Sequence, residues 1–179
     1  MKLSCSYFLL AAGLICAPAL ASNLVVNGGF ETGDFTGWSI VSGSPTVLCG
    51  QGIQHSGNCA AALYSSVIQQ DVPTTAGGLY TLDFWVQNQN GALTVDWNGS
   101  QILSAPQGEF PTYTEEVFSN LAATTNSTAL QFTDGDVPQG AYLDDVIVTA
   151  QAPEPASSLL LVSGFCLLAL RRRARSVAS

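Results

Sequence analysis

The distribution of charge is the feature that most restricts what this chain can fold into and bind. All five basic residues lie within ten residues of a terminus: Lys2, Arg171, Arg172, Arg173 and Arg175. Between Ser22 and Ala152 there are twelve Asp or Glu and no Lys or Arg, so only His55 is able to carry a positive charge there. Such a segment repels nucleic-acid phosphates and lacks the basic clamps of phosphoryl transfer. The pattern therefore argues against nucleic acid as a partner.

The N-terminus has the pattern of a secretory signal peptide. Lys2 precedes an apolar run over residues 7–15, and Ala19 and Ala21 occupy the small-residue positions of an A-x-A cleavage signal. This predicts a signal peptide over residues 1–21 that is removed after Ala21 during export. Lipidation at Cys16 is the alternative, but Ile15 is larger than the small residue usually required before a lipidated cysteine.

The C-terminus has the pattern of a membrane segment. Pro153, Glu154 and Pro155 precede an apolar run over residues 156–170, and the arginine cluster follows at once. As a helix, that run would be roughly 22 Å long, short of the roughly 30 Å hydrocarbon core of a bilayer. The sequence therefore predicts a short transmembrane anchor whose arginines stay in the cytoplasm, with residues 22–152 on the other side.

The order of these three parts resembles a known sorting signal. The Pro153-Glu154-Pro155 tripeptide, the apolar span and the Arg171-Arg172-Arg173 cluster are similar to the PEP-CTERM signal, and the resemblance covers residues 153–179. It implies a protein of a Gram-negative bacterium that also makes extracellular polysaccharide. It further implies processing by an exosortase, a membrane cysteine transpeptidase-like protease. We therefore expect transient anchoring in the membrane and a final place on the cell surface or in the matrix.

Cysteine usage points to one disulfide bond in the exported segment. Of the five cysteines, only Cys49 and Cys59 lie within residues 22–152. An even pair in an oxidising compartment predicts a disulfide, and closing this loop would contribute roughly 2.5–3 kcal/mol in the chain-entropy model. Metal ligation by the two thiols is the alternative, but a single histidine adds little to a zinc site.

The remaining residues alternate between apolar and polar with period two, and turn signals recur every eight to twelve positions. In the segment 79–88, Tyr80, Leu82, Phe84 and Val86 lie on one face. Further strands are predicted at residues 24–27, 38–42, 59–65, 67–72, 93–98, 101–104, 113–120, 129–133 and 142–149, with a tight turn at 98–99. About ten short strands predict an all-β fold, a two-sheet antiparallel jelly-roll sandwich. The signal-peptide helix and a C-terminal hydrophobic helix would flank this domain.

Three short motifs resemble carbohydrate-binding-module-like, galactose-binding-type β-sandwiches. Residues 23–31 read Asn-Leu-Val-Val-Asn-Gly-Gly-Phe-Glu, and a Gly-Trp pair follows at 37–38. Residues 55–58, His-Ser-Gly-Asn, resemble the turn before a middle strand of those folds, and residues 142–146, Tyr-Leu-Asp-Asp-Val, resemble the last strand. Together the three motifs extend over nearly the whole of residues 22–152.

This resemblance implies one structural calcium ion that ties the first strand's exit loop to the last strand. Hard oxygen ligands suit calcium, and the matching positions are the Gly29 carbonyl and the side chains of Glu31 and Asp144. Gln51 and Gln54 stand where a further acidic ligand is often found. The alternative is that Glu31 is a solvated turn residue and that Asp144 caps a backbone amide. The segment 134–136, Asp-Gly-Asp, is a fragment of a calcium-loop pattern and is expected to be an acidic turn.

Polar residues beside one tryptophan predict a glycan site. Sugar recognition uses an aromatic plane against the pyranose ring, with amides and carboxylates bonding the hydroxyls. The candidates on two consecutive strands are Asp83, Trp85, Gln87, Asp96 and Asn98. The alternative is that Trp85 lies under a loop; Trp38 and Trp97 are expected in the core.

The residue types do not favour catalysis. His55 is the only histidine, and no serine lies in a G-x-S-x-G motif. Glu115 and Glu116 are adjacent in a strand, so their side chains point to opposite faces and cannot flank one glycosidic bond. We expect an exported non-catalytic protein associated with extracellular polysaccharide. A structural surface protein that contacts other proteins is the alternative, and a secreted glycoside hydrolase is a third.

Overall fold

The computed structural model describes residues 22–88, 91–135 and 140–152. Residues Ala21–Gln151 form one compact unit. The predicted signal peptide, the Pro153-Glu154-Pro155 signal and the hydrophobic segment after it lie outside the described residues. Within the described ranges, no helix is long and apolar enough to span a membrane.

Ten β-strands build the domain, and they occur in two sheets. The strands are β1 Ser39–Ser42, β2 Thr46–Cys49, β3 Cys59–Ala62, β4 Val67–Pro73, β5 Leu79–Gln87, β6 Leu93–Trp97, β7 Ser100–Ala105, β8 Thr114–Ala122, β9 Ser127–Asp134 and β10 Tyr142–Ala150. Sheet A has the order β1-β4-β9-β6-β7, and sheet B has the order β2-β3-β10-β5-β8. All neighbouring strands are antiparallel. The predicted all-β, two-sheet antiparallel sandwich is therefore confirmed.

The inner faces of the two sheets form the core. Tyr80, Leu82, Phe84 and Val86 alternate with partly exposed residues along β5 and are buried, as the period-two pattern predicts. Across the interface, the rings of Phe84 in sheet B and Phe132 in sheet A meet edge to face at 5.2 Å between centroids. Such pairs add to the burial of apolar area and help to fix the distance between the sheets.

Two of the three tryptophans belong to the core. Trp38 and Trp97 are only 7% and 4% exposed. The Trp38 ring packs on Phe30 at 5.7 Å between centroids, and the Trp97 indole N–H donates to the Ala122 carbonyl at 2.9 Å. Both therefore hold the sandwich together, as expected from the sequence.

Two local predictions are confirmed at the connections between strands. Asn98 and Gly99 join β6 to β7 with φ of 53° and 73°, the left-handed pair that a two-residue hairpin of type I′ requires. Cys49 and Cys59 form a disulfide between opposed residues of β2 and β3. The bridge therefore joins the two ends of the loop that separates these strands.

The strand expected at residues 24–27 is absent, and β2 was not expected. Asn27 and Phe30 have φ of 53° and 56°, so the backbone turns at both positions. The segment still meets β10, since the Leu24 N–H donates to the Val148 carbonyl and the Gly28 carbonyl accepts from Val146. The three apolar residues at 24–26 predict a strand only when the backbone stays extended, and here the glycine-rich turn that follows prevents that.

A buried glutamine holds this N-terminal segment against sheet A. Gln70 points into the core between Ile68 and Val72 and is 5% exposed. Its side-chain oxygen accepts the Val26 N–H at 2.7 Å, and its amide nitrogen donates to the Val26 carbonyl at 3.0 Å. The side chain thus replaces the neighbouring strand that Val26 lacks, and it satisfies its own polar atoms in the core.

We predict that Gln70→Leu lowers the free energy of unfolding by about 2 kcal/mol, because the Val26 backbone groups lose their partners while side-chain volume is kept. Urea denaturation measures the change. Gln69→Leu is the matched control, since Gln69 faces outward from the same strand, and its effect should stay within about 0.5 kcal/mol. Equal effects of the two substitutions would contradict the role given to Gln70.

Candidate functional site

The predicted residues Asp83, Trp85 and Gln87 lie on the outer face of sheet B. All three alternate with buried residues along β5. In the sheet register, Trp85 lies between Glu115 of β8 and Asp144 of β10. Three of the five candidate glycan residues therefore share one face, as the alternation predicts.

A loop covers this face. Residues 50–58, which we call the His55 loop, connect β2 to β3. The His55 imidazole stacks on the Trp85 indole with 3.7 Å between ring centroids and 10° between planes, and the Tyr113 ring lies 5.5 Å from the imidazole. One face of the indole is thus occupied by the protein's own side chain. The structure shows the alternative that the sequence left open, with Trp85 under a loop.

The carboxylates of β10 hold the His55 loop in place. One side-chain oxygen of Asp144 accepts the backbone N–H groups of His55 and Ser56 at 2.9 and 3.1 Å. Asp145 bonds the side chains of the same two residues, at 2.8 Å to His55 Nδ1 and 2.8 Å to Ser56 Oγ. The stacking of His55 on Trp85 therefore depends on Asp144 and Asp145, which lie more than eighty residues later in the chain.

Glu31 holds the other end of the loop. Its Oε1 accepts the backbone N–H groups of Asn58 and Cys59 at 2.8 and 2.9 Å. Gly57 lies against this carboxylate so closely that a Cβ atom there would overlap Oε1. Glu31 is exposed to solvent, yet its carboxylate accepts two backbone N–H groups, and the loop bends around it next to the disulfide.

Asp144 is fully buried, and residues 22–152 contain no Lys or Arg to pair with it. Burial raises the pKa of its carboxyl, while the N–H groups of Ser56, Asp145 and His55 act to lower that pKa. Hydrogen bonds to the charged form are what makes a buried carboxylate tolerable where no cation pairs with it.

The three calcium candidates lie close together. A Cβ atom built on Gly29 would lie 3.5 Å from Asp145 Oδ1, 3.7 Å from Glu31 Cγ and 3.8 Å from Asp144 Oδ1. Each carboxylate oxygen has two acceptor sites, so the backbone N–H groups leave Glu31 and Asp144 with acceptor capacity. Within the described ranges, no three His, Cys, Asp or Glu side chains are arranged as a metal centre, so a calcium ion there would also need backbone carbonyls such as that of Gly29.

The other two predicted residues of sheet B, Gln87 and Asp83, differ in their contacts. Gln87 donates its amide to the Pro111 carbonyl at 3.0 Å. Burial raises the pKa of Asp83, and the negative charges of Glu115 and Asp145 raise it further. The covered indole and the bonded Gln87 amide help to hold the domain together, whereas the buried Oδ1 of Asp83 has no hydrogen-bond partner among the described residues.

The structure does not bring Asp96 and Asn98 to this face. β5 and β6 are consecutive in the chain but belong to different sheets. Asp96 is on the outer face of sheet A, and Asn98 is in the hairpin turn, where its amide donates to Thr124 Oγ1 at 2.8 Å. The two strands had been expected to be neighbours, and the crossover between sheets separates them.

Asp96 instead belongs to a row of polar side chains across sheet A. The register places it between Gln131 of β9 and Gln101 of β7, and Gln131 is opposite Gln69 of β4. All four residues alternate with inward-facing neighbours or lie at an exposed edge, and none is buried. We call this set the polar row: Gln69, Gln131, Asp96 and Gln101. Neighbouring strands are about 4.8 Å apart, so the row presents closely spaced amides and a carboxylate.

Three further acidic residues, Glu115, Glu116 and Asp134, lie on strands β8 and β9. Glu115 is exposed opposite Trp85, whereas Glu116 is opposite the buried Phe84, so the two side chains leave β8 on opposite faces as predicted. Asp134 is 3% exposed and accepts the Ala141 N–H at 3.0 Å. This buried hydrogen bond joins the end of β9 to the residue before β10. The expected partner of Asp134 in the acidic turn, Asp136, lies outside the described residues.

We predict that Gly57→Ala lowers the free energy of unfolding by about 3 kcal/mol and opens the His55 loop, since the new methyl group displaces Glu31. Acrylamide quenching of tryptophan fluorescence should rise, because Trp38 and Trp97 are buried and Trp85 loses its cover. Gly52→Ala is the matched control: its φ of +72° resembles the +59° of Gly57, but a Cβ atom there meets nothing within 4 Å. That control should cost about 1 kcal/mol without added quenching. Identical effects would show that Glu31 does not hold the loop.

The fold is similar to that of solved carbohydrate-binding modules. The structure of TmCBM61 in complex with β-1,4-galactotriose matches with a TM-score of 0.57 and 23% identity, over 73% of this chain and 99% of that one. A family 16 carbohydrate-binding module matches with a TM-score of 0.54 and 19% identity, over 70% and 99%.

A third similar structure belongs to a larger protein. The enzymatically active domain of bacteriophage CBA120 tailspike protein 4 matches with a TM-score of 0.55 and 14% identity, over 72% of this chain and 21% of that one. No family model and no curated protein matches the sequence. At these identities the likeness shows the fold: a β-sandwich of the kind found in carbohydrate-binding modules.

Proposed function

We propose that residues 22–152 form a non-catalytic carbohydrate-binding module that holds a polysaccharide on the outer face of sheet A. The observation that carries the proposal is the polar row, in which four neighbouring strands present three amides and one carboxylate side by side. The sandwich fold supports it, because the similar TmCBM61 structure contains β-1,4-galactotriose.

The polar row has the groups that sugar hydroxyls need. Glutamine amides both donate and accept hydrogen bonds, and the Asp96 carboxylate accepts them. Contacts along two strands orient the amides: Gln131 donates to Thr133 Oγ1 at 3.2 Å, and Gln69 donates to Asp71 Oδ1 at 3.1 Å. Amides held in this way lose less conformational entropy when a ligand binds. The outer face of sheet B lacks this advantage, because His55 occupies its only tryptophan.

We assign no catalytic role to the acidic residues. Glu115 and Glu116 diverge to opposite faces, which excludes them as a pair flanking one glycosidic bond. His55 is stacked on Trp85 and bonded to Asp145, so it serves the loop.

The export pathway is part of the same proposal. The predicted signal peptide, the PEP-CTERM-like tail and the exosortase expected to process it would deliver this domain to the cell surface or the polysaccharide matrix. The Cys49–Cys59 disulfide supports an oxidising compartment outside the cytoplasm. A surface glycan of the same cell would then be the nearest ligand.

We also propose that Glu31, Asp144 and the Gly29 carbonyl bind one structural calcium ion. The three carboxylates around Gly29 repel one another, and residues 22–152 contain no Lys or Arg to neutralise them. A divalent cation would remove that repulsion and strengthen the attachment of the His55 loop to β10.

For glycan binding, we predict that Gln131→Ala and Asp96→Ala each weaken affinity about tenfold, because each removes hydrogen bonds to sugar hydroxyls. Binding is measured against a panel of immobilised polysaccharides, and calorimetry then follows with an oligosaccharide of the one that binds. Unchanged melting temperatures show that the variants are folded.

Glu115→Ala is the control for Asp96→Ala, since it removes one carboxylate from the outer face of sheet B and should leave affinity unchanged. If Trp85→Ala abolished binding and the polar-row variants did not, the site would lie on sheet B. Retention on no polysaccharide of the panel would favour the alternative of a structural surface protein that contacts other proteins.

For calcium, we predict a melting temperature that rises with added calcium and falls with chelator, because an ion that binds only the folded state stabilises it. Asp144→Asn keeps the shape of the side chain and should abolish the response. Asp134→Asn is the control: it alters another buried aspartate remote in sequence from Gly29, so it should lower the melting temperature but keep the calcium response. A wild-type melting temperature that changes with neither calcium nor chelator would contradict the proposed calcium site.

A further inference from the structure

We propose that the polar row selects uncharged glycans and rejects glycans that carry carboxylate or sulfate groups. This inference rests on the proposed function and names the class of ligand that the same face accepts. The inference follows from the charges on and around sheet A. The fold alone does not determine these charges, and neither does its similarity to other sandwiches.

Among the described residues, this face offers an anionic ligand no cationic partner. Residues 22–152 contain twelve acidic side chains and no Lys or Arg. Proteins recognise carboxylate and sulfate groups mainly through Arg, Lys and backbone N–H groups, and the N–H groups of β4, β9 and β6 are used in the ladder of sheet A. The only histidine is on the outer face of sheet B, bonded to Asp145.

Two carboxylates stand where the ligand would lie. Asp96 is within the polar row, and Asp71 is exposed on β4, where its Oδ1 accepts the Gln69 amide at 3.1 Å. A second carboxylate brought near these groups is repelled, and the repulsion acts over about 10 Å at 0.1 M salt. The hydroxyls of an uncharged glycan instead donate to both carboxylates.

The test uses the full chain in a non-ionic detergent, with beads that carry polygalacturonate or neutral polysaccharides including β-1,4-galactan. EDTA is present throughout, so that no divalent cation bridges two anions. At 20 mM NaCl, we expect retention on polygalacturonate at least about fivefold below that on the best neutral polysaccharide. Retention on the neutral polysaccharide should be the same at 20 and 300 mM NaCl, because no charge pair contributes to it.

Two variants separate the local effect from the overall charge. Asp71→Lys and Glu115→Lys change the net charge equally, but Asp71 is on sheet A and Glu115 on sheet B. We expect Asp71→Lys to raise retention on polygalacturonate at 20 mM NaCl at least about threefold above that of Glu115→Lys.

Three results would overturn the inference. Wild-type retention on polygalacturonate equal to that on the neutral polysaccharide would contradict the selectivity while leaving glycan binding intact. Equal gains for the two lysine variants would show that selection comes from overall charge and has no link to the polar row. Retention on no bead at either salt concentration would contradict the proposed function itself, and this inference with it.

Discussion

The lack of basic side chains decides how this domain accommodates the buried carboxylate of Asp144 and the exposed carboxylate of Glu31. Where other domains pair such groups with Lys or Arg, Asp144 and Glu31 accept backbone N–H groups of the loop between β2 and β3. Removing either carboxylate would leave several amides unpaired at once, which is costly in a partly buried loop. The disulfide at the base of the loop limits its freedom further. The loop is thus fixed against sheet B by charge-assisted hydrogen bonds.

This arrangement divides the two outer faces between structure and binding. On sheet B the fixed loop brings His55 onto Trp85, so the aromatic plane that the sequence predicts as a sugar platform is stacked against the protein's own histidine. On sheet A no comparable loop covers the polar row among the described residues, and its amides remain at the surface. The proposed module binds through amides and a carboxylate. The same lack of Lys and Arg that leaves its loops bound through backbone N–H groups also restricts the class of glycan it accepts.

The sequence predicted the architecture better than the site. Alternation along β5, the Asn98-Gly99 turn and the lone cysteine pair are local signals, and all three are present in the fold. The order of strands within the sheets is not local: placing Asp96 beside Trp85 assumed that consecutive strands pair, whereas β6 crosses to the other sheet. The polar row was missed for the same reason, since its residues come from four strands whose adjacency no spacing reveals. Glu31 and Asp144 were found through a resemblance, and their use of backbone amides as partners became visible only with the loop in place.

Amide hydrogen exchange of the loop tests this account most directly. If Asp144 and Glu31 hold the loop, the amide protons of His55, Ser56 and Asn58 will exchange at least about a hundredfold more slowly than those of an unstructured peptide, as strand amides do. Exchange of these three protons at unprotected rates, with β5 and β10 fully protected, would contradict the account, because the loop would then be free and Trp85 uncovered.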